Sequence, residues 1–281
     1  MNTYIFTIVT FIYLAGMVVY IGYLAFRNPW VRRAATAITL GGWLVQTFAL
    51  GLRWYESYQL GIGHAPMSNL YESLVFFSWT IILIYLVIEY KYHLYLLGAF
   101  VTPFAAMGMA YASISPNVNE TIQPLVPALQ SNWLISHVVT CFLGYAAFAV
   151  SCGVSITYIM KKRHEEGAGK TGLLASFPSS LILDDLVYKT IAIGFPLLTI
   201  GIVTGAAWAN YAWGTYWSWD PKETWSLITW FIYAAFLHAR FTRGWRGVKA
   251  AMLSIVGFVA VLFTYLGVNL LLSGLHSYGA G

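Results

Sequence analysis

Charged side chains are scarce in this 281-residue sequence: Asp, Glu, Lys and Arg together make up 9%, against 59% hydrophobic residues. Soluble domains carry about 25% charged residues, and so few charges could not keep this much apolar surface in water. A water-soluble enzyme or binding module is therefore excluded, and hydrocarbon becomes the natural solvent for the chain. The net charge of +5 is spread over short segments, so no nucleic-acid partner is expected; its meaning lies in its distribution. Cysteine is nearly absent too. Cys141 and Cys152 lie eleven positions apart on one predicted helix, roughly 16 Å along its axis, too far to bond to each other. Without a CxxC pair the chain has no dithiol exchange chemistry of its own.

Other signals are missing. No alternating ten-residue strands occur, which excludes a membrane β-barrel. The first apolar run has no basic segment before it and no small-residue cleavage pattern after it, so it reads as a retained span. Gly167-Ala-Gly-Lys-Thr171 looks like the end of a phosphate-binding loop, but His164 stands where the motif needs glycine and no buried strand precedes it. There is no internal repeat.

What the sequence does have is long apolar runs. A helical span needs roughly 20 residues, and candidates lie at about 4–26, 34–52, 73–89, 94–112, 133–160, 187–208, 224–240 and 250–274. The expected fold is an all-α integral membrane protein, a single polytopic domain over 1–281 with about eight transmembrane helices in the lipid bilayer. Pro103 and Pro196 fall inside spans four and six, where they are expected to kink their helices. Cytoplasmic loops retain Lys and Arg. Of the fifteen basic residues, all but Arg53 and Lys222 fall on one side of such a bundle, which predicts both termini on the non-cytoplasmic side. The segment 161–186 then becomes a cytoplasmic connector. The loops 53–72 and 113–132 and the Trp-rich stretch 208–223 face outward.

That stretch places Trp208, Trp213, Trp217 and Trp219 within twelve residues and ends in Asp220-Pro-Lys-Glu223. An interfacial aromatic belt accounts for single tryptophans; four on one short segment exceed what anchoring requires. Asp220 as N-cap, Pro221 at the first helical position and Glu223 at the third form a strong start signal for span seven, so the indoles should sit on a loop pinned at one end. Such a platform suits a large flat ligand. Porphyrin, quinone and oligosaccharide all qualify.

The six histidines weigh among these ligands. His93 and His164 read as solvated interfacial residues. His137, five residues into span five, and His276, after span eight, come to the same outward depth as the indoles. Ionisable groups at that depth are costly and usually functional; two imidazoles on opposite faces of one haem iron would make a saturated site. His238 lies roughly 20 Å further in along span seven and cannot share that iron. His64 is either near the ligand or a packed loop residue, and Ser68 and Asn69 are plausible caps for span three, with Glu72 close behind.

The stretch WGTYWSWDPKETW closely resembles the tryptophan-rich WWD signature of haem-handling membrane proteins. "GHAPMSNLYES" at 63–73, "LQSNWLISH" at 129–137, "WSLITWFIYAAFLHAR" at 225–240 and "HSYG" at 276–279 resemble one branch, the CcsA (ResC) family of cytochrome c biogenesis proteins. The resemblance implies that His137 and His276 are axial ligands to the iron of haem b (iron protoporphyrin IX) on the outer side. His238 becomes a transmembrane haem ligand, and Trp208, Trp213, Trp217, Trp219 and Asp220 the presenting platform. It implies a cytochrome c haem lyase subunit (holocytochrome c synthase) active only with a CcsB (ResB)-like membrane partner. That subunit would move haem outward and present it to the CxxCH motif of apocytochrome c, with a thioredoxin-like thiol reductant as a further partner. The membrane would be the bacterial cytoplasmic or plastid thylakoid membrane. Arg53 and Lys222 are candidates for the haem propionates, with a plain interfacial role as the alternative. The rival from another class is a transmembrane haem-b electron carrier acting on quinone, which requires two complete ligand pairs in one chain.

Overall fold

The computed structural model describes residues 2–167 and 172–272, so His276 lies outside the described residues, as does most of the 167–171 segment. Eight long helices run through it: α1 (Asn2–Phe26), α2 (Pro29–Gln59), α3 (Leu70–Tyr92), α4 (Gly98–Ile114), α5 (Asn132–Glu166), α6 (Ser180–Trp213), α7 (Pro221–Arg243) and α8 (Val248–Leu271, with a π-helical turn at Phe263–Gly267). Seven are long and apolar enough to cross a membrane, and the protein is an integral membrane protein. The eighth, α7, matches α3 in length. Its tryptophans and its terminal Lys222, Glu223, Arg240 and Arg243 leave it less apolar than the rest.

The helices overrun the apolar stretches. Helix α2 continues through Arg53 to Gln59, α6 starts at Ser180 and ends at Trp213, and α5 reaches Glu166. Hydrophobicity marks only the part of a helix in lipid, whereas a helix continues until something breaks it. For α2 the break is Gly61 and Gly63, both at positive φ. Two expected boundaries are corrected by this. Arg53 lies inside a helix rather than in an outer loop, and Trp208 and Trp213 sit on the last turns of α6, leaving a loop of only 214–220. The 161–186 connector shrinks in the same way. Pro103 and Pro196 do lie inside α4 and α6.

Helix α5 is the centre. From Cys141 to Ser155 nearly every side chain is buried, as expected of a helix apolar on all faces, and α3, α4, α6 and α8 pack around it. Its Gly, Ala and Ser residues let backbones approach closely, which replaces the hydrophobic drive that lipid cannot supply. Helix α7 is fastened to the same core by polar pairs. Thr229 meets Thr264 at 3.0 Å, Trp230 Nε1 donates to Thr199 Oγ1 at 2.9 Å, and Arg240 pairs with Asp184 at 2.7 Å.

Two buried carboxylates organise the N-terminal helices. Glu89 is 2% exposed and accepts hydroxyl donors from Tyr20 and Thr36, each at 2.6 Å, and from Tyr85. Three hydroxyls substitute for water around a charge that hydrocarbon would not tolerate bare. At the other end of the bundle Glu72 and Arg53, each 1% exposed, form an ion pair at 2.8 Å.

Candidate functional site

A cavity of about 200 Å³, open to one side, lies at the end of the bundle that carries the 214–220 loop. Its walls come from the start of α3, the first turns of α5, the last turns of α6, the loop, the first turns of α7 and the C-terminal turns of α8. His137, Trp208, Trp217, Lys222 and Asn269 all line it.

His137 is the most constrained of these. Its Nδ1 lies 2.7 Å from the carbonyl oxygen of Gly201 on α6. A carbonyl only accepts, so Nδ1 carries the proton and Nε2 keeps its lone pair. The ring also stacks on Trp208, centroids 6.0 Å apart and planes 19° from parallel. This placement depends on two glycines of α6. A Cβ at Gly205 would come within 2.6 Å of His137 Nδ1, and one at Gly201 within 2.5 Å of Cys141 Sγ. Sequence reasoning overlooked both, although Gly201-Ile-Val-Thr-Gly205 is the small-xxx-small pattern that marks close helix contacts in membranes.

The indoles differ in exposure. Trp208 is 3% exposed and its Nε1 donates to Ala128 O at 2.7 Å. Trp213 packs edge-on against it at 5.0 Å. Trp217 and Trp219 meet edge-on at 5.7 Å, and Trp217 keeps its Nε1–H buried without an acceptor among the described residues. Trp219, at φ 60°, is 69% exposed. Left-handed backbone is uncommon for an aromatic residue, and here it falls at the sharp turn into α7.

Asp220 is buried and closes the expected capping box: its side chain accepts from the Lys222 N–H at 3.0 Å, and Glu223 reaches back to the Asp220 N–H at 3.2 Å. Glu223 also takes the Ser218 N–H at 2.7 Å. The loop is thus pinned at its α7 end by two carboxylates acting on its backbone. The cap at α3 differs in one detail: Asn69 caps Glu72 N at 2.9 Å, whereas the Glu72 carboxylate returns to Ser68 N and Oγ, both at 2.8 Å.

Other expected site residues fall elsewhere. His64 is 7% exposed, with Nδ1 2.9 Å from Ala65 O and Nε2 3.0 Å from Gln123 O. Both ring nitrogens lie within hydrogen-bonding distance of carbonyls, so the ring sits between two loops, away from the cavity wall. Arg53 gives Nε to Glu72 and Nη1 to Asn2 Oδ1, leaves Nη2 without a partner among the described residues, and is buried away from the cavity wall. His238 is exposed on the outside of α7, and its ring makes no hydrogen bond among the described residues. His93 caps α3 and is exposed, whereas His164 is half-buried rather than solvated. Cys141, at the cavity, and Cys152 are free and buried.

A family model described as cytochrome C assembly protein matches residues 67–276. The cytochrome c biogenesis protein CcsA of Guillardia theta is 47% identical over 249 residues, covering 83% of this chain and 81% of the relative. That of Microcystis aeruginosa is 43% identical over 275 residues, with 82% of each chain covered. Among solved structures, a cytochrome c heme lyase CcmF superposes with a TM-score of 0.69 at 18% identity, over 95% of this chain and 47% of that longer one, which shows a shared fold. The helical membrane bundle, the matched family model and the relatives at this level of identity together show that the chain belongs to the cytochrome c assembly protein family, in its CcsA branch.

Proposed function

We propose that this chain is the haem-presenting subunit of a cytochrome c synthetase, working in cytochrome c maturation as its family does. It carries haem b to the cavity beside the Trp-rich loop and holds it there for attachment to the CxxCH motif of an apocytochrome c. The observation that carries the reading is His137. Its Nδ1–H is held by Gly201, which leaves an iron-ligating Nε2 on a cavity walled by indoles.

Haem supplies the vinyl groups and the iron; the chain's own residues bind, orient and exclude water. His137 and His276 serve as the axial pair. Trp208, Trp213, Trp217 and Trp219 pack on the ring's periphery, and Asp220 with Glu223 keeps the loop from yielding. His238, exposed on the outside of α7, meets an imidazole of a CcsB-like partner at a second haem position in this reading. This favours a synthetase over a quinone-linked electron carrier, since no second described imidazole accompanies it on its own chain. The loop side faces the periplasm or thylakoid lumen, as the basic residues at the opposite helix ends support, and a thioredoxin-like reductant supplies reduced thiols.

An absorption spectrum of the chain purified with its partner tests the proposal. The intact protein is expected to retain haem with a low-spin spectrum. His276→Ala should lose the outer haem and His238→Ala only the inner one; a wild-type protein without haem absorbance would overturn the reading. Gly205→Ala separates fold from site. Alanine should gain up to about 1 kcal/mol in helix propensity, yet its Cβ pushes on the His137 ring. Haem retention is expected to fall about tenfold or more, the lower range for disturbing a ligand's support, while the detergent melting temperature does not.

A further inference from the structure

We propose that Lys222, braced by Asn269, is a carboxylate-binding subsite in the cavity wall, which takes a propionate of the porphyrin and so sets the rotational orientation of the macrocycle. This rests on the haem reading and deepens it. Lys222 Nζ donates to Asn269 Oδ1 at 2.8 Å, and Asn269 Nδ2 is itself fixed on Tyr265 O at 2.8 Å. One of three ammonium donors is thereby used.

No carboxylate among the described residues lies within ion-pair distance of it. The ion pairs there join Arg53 to Glu72, Arg240 to Asp184, and lysines 161, 162 and 189 to acids one helical turn away. The two acids nearest in sequence are engaged on backbone. Glu223 holds the N–H groups of Ser218 and Asp220, and Asp220 holds the N–H of Lys222 itself. A cation lining a largely apolar cavity, with Asp220 acting on it only from beyond ion-pair distance, is costly to bury, and an anionic ligand relieves the cost through charge-assisted hydrogen bonds. Arg53, the other cation at this end, pairs with Glu72 and does not line the cavity. Haem carries its two propionates on one edge and its vinyls away from it, so a carboxylate held at Lys222 decides which edge remains for an incoming thiol.

The test titrates purified full-length protein, stripped of haem, with haemin and with haemin dimethyl ester, whose carboxylates are capped, following the Soret band. The wild type should bind haemin about tenfold more tightly than the ester, the size expected of one charge-assisted contact. Lys222→Met should lose that preference by weakening haemin alone, Lys222→Arg should keep most of it, and unchanged ester binding reports an intact fold. Equal binding of both porphyrins by the wild type, or equal weakening of both by Lys222→Met, would overturn the subsite and leave the haem reading standing. Binding of neither porphyrin would overturn both.

Discussion

Replacing His137 with glycine is expected to abolish haem retention at the outer site, and added imidazole should restore it. The expectation follows from the way the side chain is held. The Gly201 carbonyl selects the tautomer, Trp208 stacks on the ring, and Gly205 leaves room for it. His137 is also the only described histidine lining the cavity, so no neighbour can take its place. Disturbing an outer-shell partner of a metal ligand typically costs 10–100-fold in affinity, so removing the ligand itself should cost more than about 100-fold. The measurement is haem content per protein, read as the pyridine haemochrome of purified samples. His64→Ala serves as a control that should keep its haem, because His64 is packed between the carbonyls of Ala65 and Gln123 and does not line the cavity. A His137→Gly protein with full haem content and an unchanged spectrum would remove the basis of the proposed site.

The second large effect concerns stability. Arg53→Met should destabilise the protein by about 3–5 kcal/mol, because it strands the Glu72 carboxylate without a counter-charge in a buried position. Arg53→Met combined with Glu72→Met should recover much of the loss, since replacing both members of a buried pair by apolar groups is often neutral. Thermal unfolding in detergent, run as a double-mutant cycle, reads this directly; strictly additive losses would show that the pair is not coupled. The effect should reach the cavity. Glu72 holds Ser68 through two hydrogen bonds, and residues 67–70 with Ser73 form one of the cavity walls. The single variant is therefore expected to lose haem more readily than the double.

Much of the architecture was legible from local signals. Apolar runs located the helices, because burial in hydrocarbon is decided residue by residue along the chain. Asp220-Pro-Lys-Glu223 announced the start of α7, because a capping box closes within four residues. Helix ends were less legible. Helix α2 runs on to Gln59 and α6 to Trp213, since backbone hydrogen bonding continues past the apolar stretch until glycine or a cap stops it. For the same reason Trp208 and Trp213, which look like loop residues from their clustering, belong to a helix.

Side-chain partners were the least legible. Arg53 and Lys222 appear equivalent in the sequence, as the two basic residues set apart from the other thirteen. Packing separates them: one is neutralised by Glu72, the other lines the cavity beside Asn269. His64 and His137 appear similarly eligible, until two carbonyls occupy one ring and a single carbonyl orients the other.

The amino-acid order by itself determined that this protein lives in a membrane, where its helices lie, how the Trp-rich loop is capped and which family motifs it carries. All of these depend on composition or on neighbours a few residues apart. Only the tertiary structure decided which cation lines a cavity, which imidazole nitrogen remains unprotonated and where that cavity opens. Those properties arise between groups 47 or 64 residues apart in the chain, and close packing of α5, α6, α7 and α8 is what brings such groups to bonding distance.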